Sequence, residues 1–322
     1  MITNFRMANQ NQKRSLNCSR IAILLTLAIG HISVSHVHAE VVYLRPSADT
    51  TLLQAFPYNN FGGNEYFNSG TTQNYTKNRG LMKFNVAGVL PPNAKITSVT
   101  LTVAVVGEPV DGNNPATFAL HRMLRDWGEG TGSGHPPQQS GLGRLAITNE
   151  ATWGDRFAST TNLWAIEGGE WNIDFSTNVS GETFVYGTDF SPYTFENTTA
   201  MVADVQAWLN QPQINFGWLM ISQAEESNFG ARRFASREDT NRAPVLEVTY
   251  FIPLINQITV VSNSVELKFV AEAGHAYTVE YRDTFGPDWL TLTNVSAAME
   301  QTNCVVKDSP SNTQRFYRLM LP

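Results

Sequence analysis

The chain has 322 residues, with 22 Lys+Arg against 28 Asp+Glu and a formal net charge of −6. That acidic balance argues against nucleic acid or an anionic membrane as the partner. With 42% hydrophobic and 16% charged residues, the chain is long enough to bury a large core and to carry a second, small module.

At the N-terminus, Arg6, Lys13, Arg14 and Arg20 precede an apolar stretch from Ile21 to Ile29, and Val37-His38-Ala39 supplies a small-residue exit. These three features together read as a secretory signal over 1–39, with Glu40 as the first mature residue. Gly30 and His31 interrupt the apolar core, which falls short of the ~20 apolar residues a membrane span needs. Cleavage removes four basic and no acidic residues, leaving 18 Lys+Arg against 28 Asp+Glu, a net charge of −10. It also removes Cys18, so Cys304 stands alone and the mature chain is expected to hold no internal disulfide.

Period-two alternation dominates the rest of the chain. In 79–86 Met82, Phe84 and Val86 fall on one face and Leu81, Lys83 and Asn85 on the other. Turn chemistry over 87–95 joins this strand to a second at 96–105, where Val99, Leu101, Val103 and Val105 alternate mostly with threonines. A third strand, 116–123, carries Phe118 and Leu120 inward and His121 outward. The stretch 128–143 is rich in Gly, Ser and Pro and reads as a long surface loop, of the kind that is either functional or disordered. Further strands are expected at 183–187, 216–222, 229–236 and 244–251. One segment breaks the pattern: in 199–211 Val202, Val205, Trp208 and Leu209 recur at helical spacing behind a threonine cap, and Pro212 ends the run. A boundary falls at Pro253, after which 265–271 and 277–283 restart as strands closed by RFYRLML. The expected fold is all-β: a sandwich with one short helix over 40–253, then a small C-terminal β domain over 254–322.

Several segments occur in a fixed order: ADTTL (48–52), NNFGG (59–63), RGLMKF (79–84), ITSVTLTV (96–103), RDWGEGTG (125–132), ATW (151–153), VADVQAWL (202–209), NFGWLM (215–220) and FASRE…RAPVLEVTY (234–250). Over about 42–251 the series resembles the DNRLRE, or disaggregatase-related, domain family. The resemblance implies a jelly-roll carbohydrate-binding module, with some relatives binding alginate-like uronic-acid polysaccharides. The tail resembles small β modules that end large secreted bacterial proteins. Together these imply a bacterial extracellular or cell-surface protein, expected to be a monomer, whose partner is an extracellular polysaccharide.

Trp127 sits in a Gly-flanked turn, where its ring face could stack on a sugar; the alternative is a plug at one end of the sandwich. Trp164 and Trp171, which flank Gly168-Gly169, are open to either exposure or burial. Lys83, Arg122, Arg232, Arg233 and Arg237 are the basic candidates, since a guanidinium holds a carboxylate by two parallel hydrogen bonds. Alternation sends Arg232 and Arg233 to opposite faces. Against this stand solvated positions or ion pairs with Glu225, Glu226 or Glu238. A structural Ca²⁺ is the one cofactor considered, with Asp49 and Asn60 as candidate oxygen ligands and no EF-hand spacing to support it. No GxSxG, HExxH, P-loop or metal-spaced Cys/His set occurs. The reading is a non-catalytic polysaccharide-binding protein with carbohydrate-binding candidates Lys83, Arg122, Trp127, Arg232 and Arg237. The rivals are a structural surface protein and a polysaccharide lyase or disaggregatase-like hydrolase; a lyase needs a base near a carboxylate-neutralising group, and the only adjacent pair of that kind, His121 and Arg122, is sent to opposite faces by strand alternation.

Overall fold

The computed structural model describes residues 39–134, 141–286, 288–312 and 314–321. Residues 1–38 of the expected signal, the centre of the Gly-rich loop and His135 lie outside them. The described chain is all-β, with one α-helix among twenty strands. A sheet of four strands runs in the order 40–44, 245–251, 95–103, 193–195. Facing it is an eight-stranded sheet ordered 175–185, 116–123, 218–222, 77–84, 66–71, 232–235, 105–107, with 46–53 added along 77–84. Neighbouring strands pair antiparallel.

Alternation decides what fills the space between the sheets. Met82, Phe84, Phe118 and Leu120 from the large sheet meet Val99, Leu101, Leu246 and Val248 from the small one. The helix Thr199–Asn210 closes one side of this core. Thr198 Oγ1 accepts the Met201 N–H at 3.0 Å, satisfying an N-terminal donor that would otherwise be unpaired. Met201, Val205, Trp208 and Leu209 are buried, and Trp208 meets Trp218 edge-on at 4.6 Å between ring centroids. Val202, expected on the inner stripe, is only partly buried, because Met201 takes the deeper place.

The second face of the large sheet departs from the sequence reading. Alternation puts Leu81 and His121 at solvent, yet both are buried. The described residues of 124–134 and 141–174 fold back over this face, so that Leu52, Leu81, Met123 and Leu219 pack with Trp127, Trp153 and Trp164 in a second core. Leu81 is the sequence signal: an apolar residue out of phase with Met82 and Phe84. Arg79 ties the cover to the sheet. Its guanidinium makes two hydrogen bonds to Glu225 at 2.9 and 2.8 Å and donates to the Gly168 carbonyl at 2.8 Å.

The C-terminal β domain has its own core. Its three-stranded sheets, 255–261/264–271/302–308 and 290–295/277–282/316–320, enclose Leu267, Phe269, Tyr277, Val279 and Leu319. Among the described residues, no helix is long and apolar enough to cross a membrane.

Candidate functional site

Most of the sequence-selected residues serve the fold. Trp127 is 3% exposed, and its Nε1–H donates to the Phe216 carbonyl at 2.8 Å, so its ring is a plug and not a stacking platform. Lys83 lies 5.3 Å from that ring and 2.8 Å from Asp126 Oδ1. Arg122 faces Asp204 at 3.5 Å. Arg232 is 1% exposed and donates to the carbonyls of Phe229, Ala231 and Tyr186 and to Asn113 Oδ1, so it cannot reach a polymer. The adjacent His121 and Arg122 part as alternation requires: the His121 Nδ1 is 3.0 Å from the Ser176 carbonyl and its ring meets Trp171. Trp164 is buried with its Nε1–H on the Thr152 carbonyl, whereas Trp171 is partly exposed.

Asp49 and Asn60 are likewise spent on the protein. The Asn60 carboxamide donates to the carbonyls of Glu129 and Ala151 and accepts from the Gly62 and Gly132 N–H groups, which uses both its donors and both acceptor sites. Close approach explains the nearby glycines: a Cβ on Gly132 would stand 2.2 Å from the Asn60 carbonyl oxygen. Asp49 Oδ2 accepts the Arg237 N–H at 2.7 Å, while the Asp49 N–H donates to Glu129 Oε1 at 2.9 Å. Arg237 in turn reaches Glu129 Oε1 at 2.5 Å and Glu238 Oε1 at 3.1 Å. Among the described residues no group of three or more His, Cys, Asp or Glu is placed to hold an ion. The two candidate calcium ligands are thus engaged by protein groups, Asn60 through its whole carboxamide and Asp49 through Oδ2.

The Asp49 latch has a pH signature. Burial holds the Asp49 carboxyl well above the usual carboxylate range; the Arg237 N–H opposes this, and the charges of Glu238 and Glu129 add to it. Between the ordinary value and the raised one, the folded state keeps a proton that the unfolded chain releases. Stability from this group therefore falls as pH rises through that window. Asp49→Asn keeps an acceptor for the Arg237 N–H and removes the charge. Its melting temperature relative to wild type should be higher at about pH 8 than at about pH 5. A difference independent of pH would contradict this account.

One opening offers uncommitted groups. A cleft of about 630 Å³ lies where the strand 66–71 leaves 77–84, between the segments 53–56, 107–110, 141–142 and 231–233. Phe56, Val110 and Leu142 give it an apolar wall; Asn68, Thr72, Asn74 and Asn78 give it amides and hydroxyls. Arg233 lies directly opposite Asn68 in the strand pairing, so their side chains share a face. Its guanidinium sits 4.7 Å from the Tyr66 ring centroid and has no carboxylate partner among the described residues. Glu108, also at the cleft, is tied to Asn113 Nδ2 at 3.0 Å and the Thr188 N–H at 3.3 Å. Arg233 is within reach of the sequence: in Arg232-Arg233-Phe234, Arg232 shares the parity of apolar Phe234, which turns Arg233 outward.

Protein-family models gave no match to the chain, and a search of curated proteins found no relative. Three segments distant in the sequence meet in space, as Asp49, Glu129 and Arg237-Glu238 form the latch described above.

Proposed function

We propose that the protein is a secreted, non-catalytic polysaccharide-binding protein of the DNRLRE type, which takes uronate-containing glycans such as alginate at the Arg233 cleft. The observation that carries this reading is Arg233: an exposed guanidinium, stacked on Tyr66, in a cleft walled by carboxamides and hydroxyls. A planar guanidinium matches a carboxylate bidentately, and amides and hydroxyls replace water around sugar hydroxyls. In a mature chain of net charge −10, an acidic polymer is held where a cation is left unneutralised.

The test is a panel of polymers. Affinity electrophoresis and titration against alginate, polygalacturonate and dextran should show retention on the two uronates and little on the neutral glucan. Added salt should weaken uronate binding, since exposed charge pairs are screened over ~8 Å at physiological ionic strength. Equal retention on dextran, or none on any polymer, would sink the reading. New unsaturated ends appearing during incubation would replace it with a lyase.

A further inference from the structure

The cleft contains two side chains whose hydrogen bonding the fold does not complete. Asn68 is 8% exposed and Asn78 6%, so each is more than nine-tenths buried. Both line the cleft. Asn68 uses its backbone N–H, which donates to Thr51 Oγ1 at 2.7 Å, but its carboxamide makes no hydrogen bond to another described residue. The Asn78 carboxamide makes none either.

The contrast with other buried polar groups is informative. Among the described residues, the side-chain atoms sealed from solvent without a partner belong to Thr50, Asp174, Trp208, Asn215, Arg232 and Arg282. The carboxamides of Asn68 and Asn78 are not among them, so their polar ends open onto the cleft while the rest of each residue is enclosed. Their positions are fixed by strand pairing: Asn78 lies opposite both Leu53 and Gly70, and Asn68 lies opposite Arg233. Polar ends that solvent reaches, on side chains whose stems the sheet holds in place, are set to hydrogen-bond a ligand in place of water.

We infer that Asn68 and Asn78 are the specificity-determining residues of the cleft, each hydrogen-bonding through its carboxamide to hydroxyl groups of the bound sugar. This rests on the polysaccharide-binding reading and adds to it a part that carries no charge. A carboxamide offers two donors and an acceptor, and can answer the donor and acceptor of one hydroxyl or of two neighbouring ones. Arg233 then governs attraction to an acidic chain, while the two amides govern which sugar fits. A site built to pair with a hydroxyl rejects an analogue that lacks it far more strongly than an apolar pocket rejects a missing methylene.

The experiment uses alginate as the probe, with the whole mature protein as wild type, Asn68→Ala, Asn78→Ala and Arg233→Ala. Each asparagine variant should lose at least about 10-fold in affinity, while its melting temperature stays level or rises. The loss should persist at high salt, whereas the loss in Arg233→Ala should shrink as salt screens the charge. In the wild-type protein, the side-chain amide resonances of Asn68 and Asn78 should shift as an alginate oligosaccharide is titrated in. Wild-type binding that survives both asparagine substitutions would overturn this inference alone. So would loss of binding in step with a falling melting temperature, or side-chain resonances that do not move. Failure of the wild type to bind any of alginate, polygalacturonate and dextran would overturn the polysaccharide reading and this inference with it.

Discussion

Asp204→Ala should destabilise the sandwich by about 3 kcal/mol. The Asp204 carboxylate is buried between the helix and the large sheet. Its Oδ2 accepts the Trp218 indole N–H at 2.9 Å and the Ser180 hydroxyl at 2.5 Å, and Arg122 stands 3.5 Å from Oδ1. Alanine leaves both donors buried and unpaired, each costing roughly 1–3 kcal/mol. At about 2–4 °C per kcal/mol for a domain of this size, the melting temperature should fall by about 6–12 °C. Asp204→Asn should cost much less. Burial raises the Asp204 carboxyl above its ordinary value despite bonds from Ser180 and Trp218 and the charge of Arg122, so the negative charge is not what the site favours. What it requires is an acceptor, which asparagine supplies. Thermal melts of the two variants side by side check this. An asparagine variant as unstable as the alanine one would show that the charge facing Arg122 is what matters.

The parts of the fold legible in the sequence are those with one wet and one dry side. Strands 95–103 and 245–251 alternate because the small sheet exposes one face, and their apolar residues point inward as the alternation requires. The strands 46–53 and 66–71 are illegible for the opposite reason. They are covered on both sides, so ADTTL and YFNSGT carry Thr, Asn and Ser at buried positions and show no alternation. The same double covering turns Trp127 and His121 from candidate contacts into core. The candidate cleft is less legible still, because it is assembled from five segments scattered between Leu53 and Arg233 and no local motif marks it. Asn68 and Asn78 look like ordinary polar strand residues until burial is known. Only the parity of Arg232-Arg233-Phe234 points at the site, and reading it needs the choice of which arginine shares the face of Phe234.

Arg233→Ala should lower affinity for alginate by about 10–100-fold, the range for loss of a hydrogen bond to a charged group, with little change in melting temperature. The physical ground is that Arg233 differs from the other nominated cations in what already neutralises it. Lys83 has Asp126 at 2.8 Å, Arg237 has Glu129 at 2.5 Å, and Arg232 is enclosed by carbonyls and Asn113. Arg233 has a tyrosine ring beneath it and an open cleft before it. The ring holds the guanidinium plane in place, so little is lost in ordering it when a carboxylate arrives. Removing Arg237 should instead loosen the latch on Asp49 and Glu129, lowering stability and leaving alginate affinity of the folded protein close to wild type. The most direct measurement is therefore a paired titration of alginate into wild type, Arg233→Ala, Lys83→Ala and Arg237→Ala, with a melting curve for each. Selective loss of binding in Arg233→Ala, at an unchanged melting temperature, is the result this account predicts. Undiminished binding in Arg233→Ala, with loss in Lys83→Ala or Arg237→Ala, would contradict it and move the site away from the cleft.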